Sequence, residues 1–362
     1  MLNVTDSIKN ESIDRAAGQL LAGGLVAFPT ETVYGLGADA ENPEAVKRIY
    51  AAKGRPSNHP VIVHVTLDVD LSYWARHIPE QAYALARAFW PGPLTLILER
   101  ADHIPDQVSG GQPTIGLRCP AHPVARQLLN AFTALKHGNA GIAAPSANKF
   151  GQVSPTHASH VREEFADMAE ADLLVLEGGS SEVGIESTIL DLSRLDRVGP
   201  VLLRPGHISA ADIGGVLGVM PREHADAQAP AVSGSLKAHY APHTPLLLRS
   251  RADIEHLVAQ GVDAVLSLAG ISGSPQRRRV AILSIGANVS EASADSIGES
   301  NGGFTRISAA DDPVVYARDL YANLRSLDHG GFDCLLVQAP PDEAAWRAVQ
   351  DRLKRAAAAF SS

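Results

Sequence analysis

The residues best suited to chemistry lie in the segment from Phe28 to Gly37 and in the Lys-Gly-Arg-Pro segment that starts at Lys53. The first segment is an apolar strand that runs into a hydroxyl-rich turn with two glycines. A helical pattern then leads to Lys53 and Arg55. Fixed donors beside two cations can bind a polyanion, so the pattern indicates a nucleotide site. The alternative is that Lys53 and Arg55 are two solvated surface cations.

Polar side chains at the ends of other apolar runs could complete such a site. His64 interrupts the run over 61–65, either as a buried core histidine or as a ligand. Arg118 closes a predicted strand that begins at Thr114. The sheets of α/β proteins bind ligands at strand ends, where an arginine forks onto a carboxylate or phosphate or else forms a structural ion pair.

Further hydroxyl groups and a cation lie in loops that flank apolar runs. These loops are Pro-Ser-Ala-Asn at 145–148, Ser-Pro-Thr at 154–156, Glu-Ser-Thr at 186–188 and Leu-Arg-Pro-Gly at 203–206. Loops of this kind bind nucleotide oxygens, but ordinary turns have the same composition. Thr30 and Thr32 likewise either contact a substrate or stabilise a turn.

Several familiar sites are absent from the sequence. It contains no Walker motif and no Rossmann fingerprint, and it lacks the G-x-S-x-G and H-E-x-x-H motifs of common hydrolases. Its two cysteines, Cys119 and Cys334, are far apart, which argues against a zinc site or a disulfide framework and favours a reducing compartment. We interpret Cys119 as a small packing residue.

Composition and charge describe an acidic globular protein. A length of 362 residues predicts two domains, and 45% hydrophobic with 20% charged residues is ordinary for a protein with a sizeable core. The net charge of -9 argues against a surface built for duplex nucleic acid but allows a local basic cleft. The polar N-terminal residues and the lack of a long apolar run predict a cytoplasmic protein without a signal peptide or membrane span.

Short apolar runs alternate with helical patterns over the first 210 residues or so, which predicts an α/β fold. Strands are predicted at 24–28, 61–65, 94–98, 114–118, 141–144, 173–176, 189–192 and 201–203. Helices are predicted at 13–21, 43–52 and 79–89. The glycines at 35 and 37 are predicted to form a turn between the first strand and the second helix.

Composition changes at Met220. The stretch 221–242 is rich in Ala, Pro, His and Gln, which predicts a linker. Beyond it, strands are predicted at 246–248, 262–266, 280–285 and 334–337, and helices at 252–260, 313–327 and 342–360. This alternation is typical of a small parallel α/β domain, and its Ser- and Gly-rich stretch 286–303 is predicted to be a mobile loop.

Seven segments, taken together and in order, closely resemble the YrdC/Sua5 family. They are PTETVYGLG at 29–37, KGRP at 53–56 with His64, WPGPLT at 90–95, GLRCP at 116–120, PSAN at 145–148, EST at 186–188 and LRPG at 203–206. The trailing region, joined through HYAP at 239–242, resembles the extra domain of the two-domain Sua5 type. The resemblance implies a YrdC-like domain with a twisted mixed sheet over 12–218. It also implies a linker and candidate lid over 219–243. After the linker it implies a smaller Rossmann-like parallel α/β domain over 244–362.

The resemblance also implies an activity, that of an L-threonylcarbamoyladenylate synthase. Such a nucleotidyltransferase condenses L-threonine, bicarbonate or CO2, and ATP to threonylcarbamoyl-AMP and pyrophosphate for the t6A37 modification of tRNA. The product would pass to the tRNA threonylcarbamoyl transferase machinery, without a membrane and without stable tRNA binding. Mg2+ is expected on the triphosphate, held by ATP and water, with no metal ligand from the protein.

Site residues follow from the matching motifs. Family contacts to threonine match Thr32, His64, Arg118 and Ser187. Family contacts to ATP match Arg55, His59, Thr114, Ser146, Ser154, Arg204 and Tyr240. Lys53 and Arg55 form the expected catalytic pair on the phosphates. Because the carbamate is labile, the linker is expected to close over the loaded site with Tyr240.

Two other classes of function stay open at this point. One is an RNA-binding module with a YrdC-like fold, although the acidic balance of the chain counts against it. The other is a protein related to carbamoyltransferases of the hydrogenase-maturation type, which carry Cys-rich zinc modules that two isolated cysteines cannot supply. Release of pyrophosphate from ATP that depends on threonine and bicarbonate, without RNA, would identify the synthase.

Overall fold

The computed structural model describes residues 4–223, 226–271, 278–286, 300–301 and 303–361. These residues form two compact units. The first runs to Phe150 and continues over Ser154–Ser235, and the second comprises Gly151–Val153 and the chain from Leu236 onward. The stretch predicted as a mobile loop, 286–303, lies largely outside the described residues.

A mixed β-sheet forms the centre of the first unit. Its strands are β1 (Leu25–Phe28), β2 (Gly35–Asp39), β3 (Ile62–His64), β4 (Ala75–Arg76), β5 (Leu94–Arg100), β6 (Thr114–Arg118), β7 (Ile142–Ala143), β8 (Leu173–Val175), β9 (Thr188–Asp191) and β10 (Val201–Arg204). Their order across the sheet is β10-β9-β5-β6-β3-β7-β2-β1-β8, with β4 paired to β5. The pairs β1–β8, β3–β6 and β5–β9 are parallel and the other pairs are antiparallel, which confirms the predicted mixed sheet.

Helices in the first unit connect these strands. They are α1 (Val4–Leu21), α2 (Pro43–Lys53), α3 (Leu71–Trp74), α4 (Glu80–Phe89), α5 (Asp106–Ser109), α6 (Pro123–Leu135), α7 (Ala158–Glu164), α8 (Leu195–Val198) and α9 (Ala210–Leu217). The three helices predicted from the sequence are confirmed, and α1 begins earlier than its pattern indicated. Within the described residues, no helix has the length and apolar character needed to span a membrane.

Strand β1 shows where the core of the first unit lies. Leu25 and Ala27 belong to one hydrophobic cluster, whereas Val26 and Phe28 belong to a second cluster that includes α1 and α6. Successive side chains of a strand point to opposite faces of the sheet. A strand that is covered on both faces must therefore be apolar throughout, which explains the uninterrupted apolar run.

The prediction of a turn at Gly35 and Gly37 is wrong, because both glycines lie in β2, antiparallel to β1. A Cβ atom on Gly37 would lie 2.7 Å from Cγ2 of Ile142 and 2.8 Å from Cε1 of Phe28. Glycine in a strand often marks such a close approach of neighbouring groups. The glycines therefore serve the packing of the sheet and not a turn.

Helix α2 ends where the two candidate cations lie. At its start, Asn42 accepts a hydrogen bond from the backbone N–H of Glu44 at 3.1 Å, and Pro43 occupies the first turn. At its end, Gly54 adopts a left-handed conformation with φ of 63°, which terminates the helix. Lys53 is the last helical residue, and Arg55 follows immediately after the reversal.

The second unit is a smaller α/β domain. Its strands are β11 (Leu246–Arg249), β12 (Val280–Ile285), β13 (Ser300–Asn301), β14 (Phe304–Ala309) and β15 (Cys334–Gln338). Its helices are α10 (Arg251–Gln260), α11 (Val262–Leu268), α12 (Pro313–Asp328) and α13 (Arg347–Ala358), with a 3-10 turn at Ala344–Trp346. The strand order is β11-β15-β12-β14-β13, parallel except for the short β13, which confirms the predicted parallel α/β domain.

The prediction of a strand over 262–266 is wrong, because these residues belong to α11. Val262, Val265 and Leu266 are buried, at the spacing of one helix face, whereas Asp263 is exposed. A short apolar run fits a buried strand and a buried helix turn equally well, so the pattern could not separate them. Strand β14 was not predicted.

Part of the segment predicted as a linker packs within the first unit. The backbone N–H of Leu202 in β10 donates to the carbonyl oxygen of Arg222 at 2.7 Å. Further along, the carboxylate of Asp226 pairs with the guanidinium group of Arg194 at 2.9 Å. We call residues 226–235 the strap.

Substituting Gly37 tests the packing explanation for this glycine. In Gly37→Ala the added methyl group must displace buried side chains, and overpacking of this kind costs about 1–3 kcal/mol. We expect a corresponding fall in the free energy of unfolding, measured by urea titration. Gly215→Ala in α9 is the control, because nothing lies within 4 Å of its Cβ position and alanine favours helix. Equal stability of the two variants would contradict the explanation.

Candidate active site

Strands β3 and β6 bring two of the predicted ligand residues together. His64 is the last residue of β3 and Arg118 is the last residue of β6, and the two are paired in the parallel register of these strands. Paired residues on neighbouring strands direct their side chains to the same face of the sheet. The imidazole and the guanidinium group are therefore neighbours where these two strands end, which confirms the strand-end position predicted for Arg118.

The guanidinium group of Arg118 is 4% exposed and is held by three hydrogen bonds. Nη2 donates to Oε1 of Glu31 at 2.6 Å, Nη1 donates to Oγ1 of Thr32 at 2.9 Å, and Nε donates to the carbonyl oxygen of Gly92 at 3.3 Å. Guanidinium has five N–H groups. Among the described residues, one N–H on each terminal nitrogen has no acceptor, so the group has two N–H donors left for a ligand.

The hydroxyl groups of Thr30 and Thr32 have separate tasks. The hydroxyl of Thr30 donates to the carbonyl oxygen of Val33 at 2.6 Å and lies 2.8 Å from the hydroxyl of Thr32. Since each hydroxyl has one proton, Thr32 must donate to Thr30 while it accepts from Arg118. Thr30 thus stabilises the turn, and Thr32 keeps one lone pair that can accept a hydrogen bond from a ligand.

His64 is buried and electrically neutral. Burial, and secondly the positive charge of Arg118, lower the pKa of His64 to about 3. Its ring packs edge-on against Phe28 at 5.8 Å between ring centroids. Nδ1 is buried without a hydrogen-bond partner in the described part of the chain. An unpaired buried nitrogen is costly, so a polar ligand group at this position would be stabilised.

A second group of polar side chains lies where β9 begins and β10 ends. Oγ of Ser187 lies 2.8 Å from Oγ1 of Thr95. Arg204 donates through Nη2 to Oγ of Ser187 at 3.1 Å and through Nε to the carbonyl oxygen of Ser187 at 3.0 Å. All three side chains are buried. A predicted threonine contact, Ser187, is therefore bonded directly to a predicted ATP contact, Arg204.

The strap reaches both arginines that match ATP contacts. Arg204 donates through Nη1 to the carbonyl oxygen of Ser233 at 2.9 Å, and Arg55 donates through Nη2 to Oγ of the same serine at 3.1 Å. Val232, the preceding residue, packs with Ile97 and Ile189 on the face of the sheet. Ser233 thus offers two oxygen atoms to two guanidinium groups, as a phosphate group would.

Lys53 is buried at 2% exposure and binds backbone oxygens of the loop after β7. Its Nζ donates to the carbonyl oxygen of Ser146 at 2.6 Å and to that of Asn148. Burial, and secondly the charge of Arg55, lower the pKa of Lys53 well below its usual range. In this arrangement Lys53 anchors the loop that carries Ser146, and its contact with phosphates stays a prediction.

The remaining candidates of the first unit are spread over a wider area. Oγ of Ser154 donates to Oε1 of Glu186 at 2.6 Å, with both side chains buried. The ring of His59 lies 5.5 Å from that of Phe150, and burial together with the charge of Arg55 lowers the pKa of His59. Thr114 begins β6, at the end opposite Arg118.

Tyr240 belongs to the second unit. Its backbone has a positive φ of 62°, which is uncommon for a bulky residue, and its side chain is buried. Within that unit the guanidinium carbon of Arg352 lies 5.5 Å from the centroid of its ring, and the ring of Tyr321 lies at 5.8 Å. Its contact with ATP stays a prediction.

Several polar residues of the site had no role in the sequence interpretation. They are Glu31, Thr95, Glu186 and Ser233. The first three lie inside or beside the quoted motifs, next to residues that did receive a role. Ser233 lies in a stretch whose composition indicated a linker. The contacts of these four side chains join segments that are distant in the sequence, so only the structure shows them.

Two family models cover most of the chain. A model for Sua5, YciO and YrdC proteins, described as "Telomere recombination", matches residues 19–206. A second model, described as "Threonylcarbamoyl-AMP synthase, C-terminal domain", matches residues 208–358. The chain belongs to the Sua5/YciO/YrdC family. The predicted family and the two-domain Sua5 type are therefore confirmed.

Similar proteins match over nearly the whole length. A threonylcarbamoyl-AMP synthase of Pyrococcus abyssi is 36% identical, with 98% of this chain and 97% of the relative covered. A threonylcarbamoyl-AMP synthase of Bacillus subtilis is also 36% identical, over 98% of this chain and 96% of the relative. The crystal structure of P. abyssi Sua5 complexed with L-threonine has a TM-score of 0.79 at 34% identity, covering 96% of this chain and 94% of that one.

Protonation of His64 should oppose folding. The pKa is lowered to about 3 in the folded protein, against about 6.5 in an unfolded chain. The unfolded state therefore takes up the proton first as the pH falls, and this contribution to stability is lost from about pH 6.5 towards pH 3. Between pH 7 and pH 5 the linkage relation gives a loss of about 2 kcal/mol.

Urea unfolding of the wild type and of His64→Gln at pH 7 and pH 5 measures this effect. We expect the variant to lose about 2 kcal/mol less stability than the wild type over this interval, because it lacks the titrating group. NMR titration of the His64 ring in the folded wild type is the direct check. Protonation of that ring above pH 5 would show that the imidazole is not held neutral.

Proposed function

We propose that this protein is an L-threonylcarbamoyladenylate synthase. It condenses L-threonine, bicarbonate or CO2, and ATP to threonylcarbamoyl-AMP and pyrophosphate, for the t6A37 modification of tRNA. The observation that carries the proposal is the buried Arg118, with two unpaired N–H groups beside Thr32 and the neutral His64. A structure of a relative with L-threonine bound, similar over nearly the whole chain, supports the same substrate.

The amino-acid half of the site binds the charged and polar groups of threonine. The carboxylate accepts two parallel hydrogen bonds from Arg118, a geometry that lysine cannot provide. Thr32 offers a lone pair to a donor of the substrate, and His64 and Ser187 offer further polar contacts. These contacts fix the direction of the substrate amine, so that it meets CO2 in one orientation.

The phosphate half of the site places ATP for the transfer step. The amine of threonine attacks CO2 and loses a proton, which gives a carbamate. A carbamate oxygen then attacks the α-phosphorus of ATP, and the bond from that phosphorus to the bridging oxygen breaks as pyrophosphate leaves. Arg55 and Arg204 stabilise the negative charge of the phosphates, with Ser146, Ser154, Thr114 and His59 as further nucleotide contacts.

Mg2+ enters this reaction with the nucleotide. Within the described ranges, no group of three or more His, Cys, Asp or Glu side chains is placed to hold a metal ion. We assign Mg2+ to the triphosphate oxygens and water, where it would neutralise phosphate charge. The labile product passes to the tRNA threonylcarbamoyl transferase machinery in the cytoplasm.

Detection of the product by mass spectrometry tests the proposed function. Purified protein with ATP, Mg2+, L-threonine and bicarbonate should form threonylcarbamoyl-AMP in the absence of RNA. Omission of threonine or of bicarbonate should each abolish the product and the release of pyrophosphate. An absence of product in the complete mixture would contradict the proposal, and a requirement for RNA would favour an RNA-dependent role.

Loss of Arg55 should slow the reaction strongly. A cation that meets transferring phosphates in a desolvated site contributes about 2–4 kcal/mol to transition-state stabilisation. We expect kcat/KM for ATP to fall by a factor of about 30 to 1000 in Arg55→Ala. Lys47→Ala is the control, because Lys47 is exposed on α2 and pairs with Glu44. The alternative of two solvated surface cations is wrong, because Lys53 is 2% and Arg55 7% exposed. Turnover of Arg55→Ala equal to that of the control would contradict the contact of Arg55 with the phosphates.

The strap should compete with ATP for the two arginines. If phosphate oxygens replace Ser233, removal of its hydroxyl group removes one competitor for Arg55. We expect Ser233→Ala to lower KM for ATP by about two- to tenfold, the net contribution of one typical hydrogen bond. Ser235→Ala is the control, since its hydroxyl donates to the carbonyl oxygen of Val232. A higher KM for ATP in Ser233→Ala would mean that Ser233 helps to bind the nucleotide.

A further inference from the structure

We propose that Glu31 determines which anions Arg118 accepts. By cancelling the charge of Arg118 and fixing its two unpaired N–H groups, Glu31 selects a zwitterionic amino acid and rejects phosphate-type anions. The identity of the amino acid rests on the function proposed above. Glu31 touches no reacting atom in that mechanism, so its role is that of a positioning and specificity-determining residue.

The carboxylate of Glu31 is held at both oxygen atoms. Oε1 accepts from Nη2 of Arg118 at 2.6 Å, and Oε2 accepts from the backbone N–H of Ala121 at 3.0 Å. The carbonyl oxygen of Glu31 also accepts from the backbone N–H of Val183 at 2.7 Å. The carboxylate thus cannot rotate without breaking a hydrogen bond in a buried place, where a lost bond is costly. It is a rigid support for one terminal nitrogen of Arg118.

Three fixed acceptors together set the plane of the guanidinium group. Glu31 holds Nη2, Thr32 holds Nη1 and Gly92 holds Nε. With these three positions taken, rotation of the group is blocked and the remaining N–H on each terminal nitrogen has a fixed direction. A substrate carboxylate then finds two donors already oriented, which reduces the entropy cost of binding.

The charge of Glu31 limits what can bind at those donors. Glu31 and Arg118 are nearly fully buried, with side-chain exposures of 6% and 4%, and form a pair of zero net charge. Threonine brings one negative charge on its carboxylate, together with its amine and hydroxyl donors. A phosphate dianion brings two negative charges close to the Glu31 carboxylate, and like charges in a desolvated site repel strongly.

This arrangement keeps two anion sites of the first unit distinct. The reaction needs a carboxylate on Arg118 and phosphates on Arg55 and Arg204, within one unit of the protein. Discrimination between similar ligands requires a repulsive element against the wrong one. Glu31 supplies that element for Arg118, so that inorganic phosphate, pyrophosphate and the phosphates of ATP do not occupy the amino-acid site.

The test is calorimetric titration of L-threonine in the absence and presence of about 10 mM inorganic phosphate. For wild type we expect the Kd for threonine to be unaffected by phosphate. For Glu31→Gln, which removes the charge and replaces one of the two accepting oxygens by an NH2 group, we expect phosphate to raise the apparent Kd at least about fivefold. Glu41→Gln is the matched control, a carboxylate that pairs with Lys136 elsewhere in the unit.

Each outcome decides the proposal. If wild type binds threonine and phosphate affects wild type and Glu31→Gln equally, or affects neither, the role of Glu31 is overturned while the proposed function stands. If wild type does not bind threonine, both the proposed function and the proposed role of Glu31 are overturned. Should Glu31→Gln not fold, Glu31→Asp keeps the charge with a shorter reach. It should weaken threonine binding at least about tenfold without phosphate competition, and wild-type affinity would overturn the proposal.

Discussion

The burial of the Arg118 guanidinium group is the constraint on which the rest of the candidate site depends. A cation removed from water is stable only when an opposite charge and hydrogen-bond acceptors surround it. Here the acceptors come from the connection between β1 and β2, which carries Glu31 and Thr32, and from Gly92 ahead of β5. The sheet order must therefore bring these separate segments to the end of β6. The positions of the acceptors around Arg118 then set the geometry of the site.

A second chain of hydrogen bonds connects the two halves of the site. It runs from Thr95 to Ser187, then to Arg204, and through Ser233 of the strap to Arg55. Ser187 matches a threonine contact, whereas both arginines match ATP contacts. Each member of this chain shares a hydrogen bond with the next. This gives a physical route by which filling of one substrate site can affect the other, in addition to direct contact between the substrates.

The sequence predicted the parts of the structure that depend on local pattern. The apolar runs located Arg118 at a strand end and His64 within a strand, and the helical pattern over 43–52 located Lys53 and Arg55 just past a helix. Gly37 was misassigned because glycine signals a turn by composition, whereas here its lack of a Cβ serves packing against Ile142 and Phe28. The helix over 262–268 was misassigned because its apolar run is too short to show a period.

The hydrogen bonds of the site could not be predicted from the sequence in the same way. Glu31 and Arg118 are 87 positions apart, and Ser233 lies 178 positions from Arg55. Pairing over such distances is set by sheet order and by the course of the strap, which no local pattern encodes. The family motifs indicated which residues matter, and the structure shows which of them hold each other in place.

The central claim is that Arg118 binds the carboxylate of threonine, and that Arg55 is not needed for this contact. Calorimetric titration of L-threonine without ATP, into wild type, Arg118→Lys and Arg55→Ala, tests it most directly. The account predicts one threonine per chain for wild type and Arg55→Ala. It predicts at least about tenfold weaker binding for Arg118→Lys, which keeps the charge but loses the two-pronged geometry. Equal affinity of wild type and Arg118→Lys would contradict it.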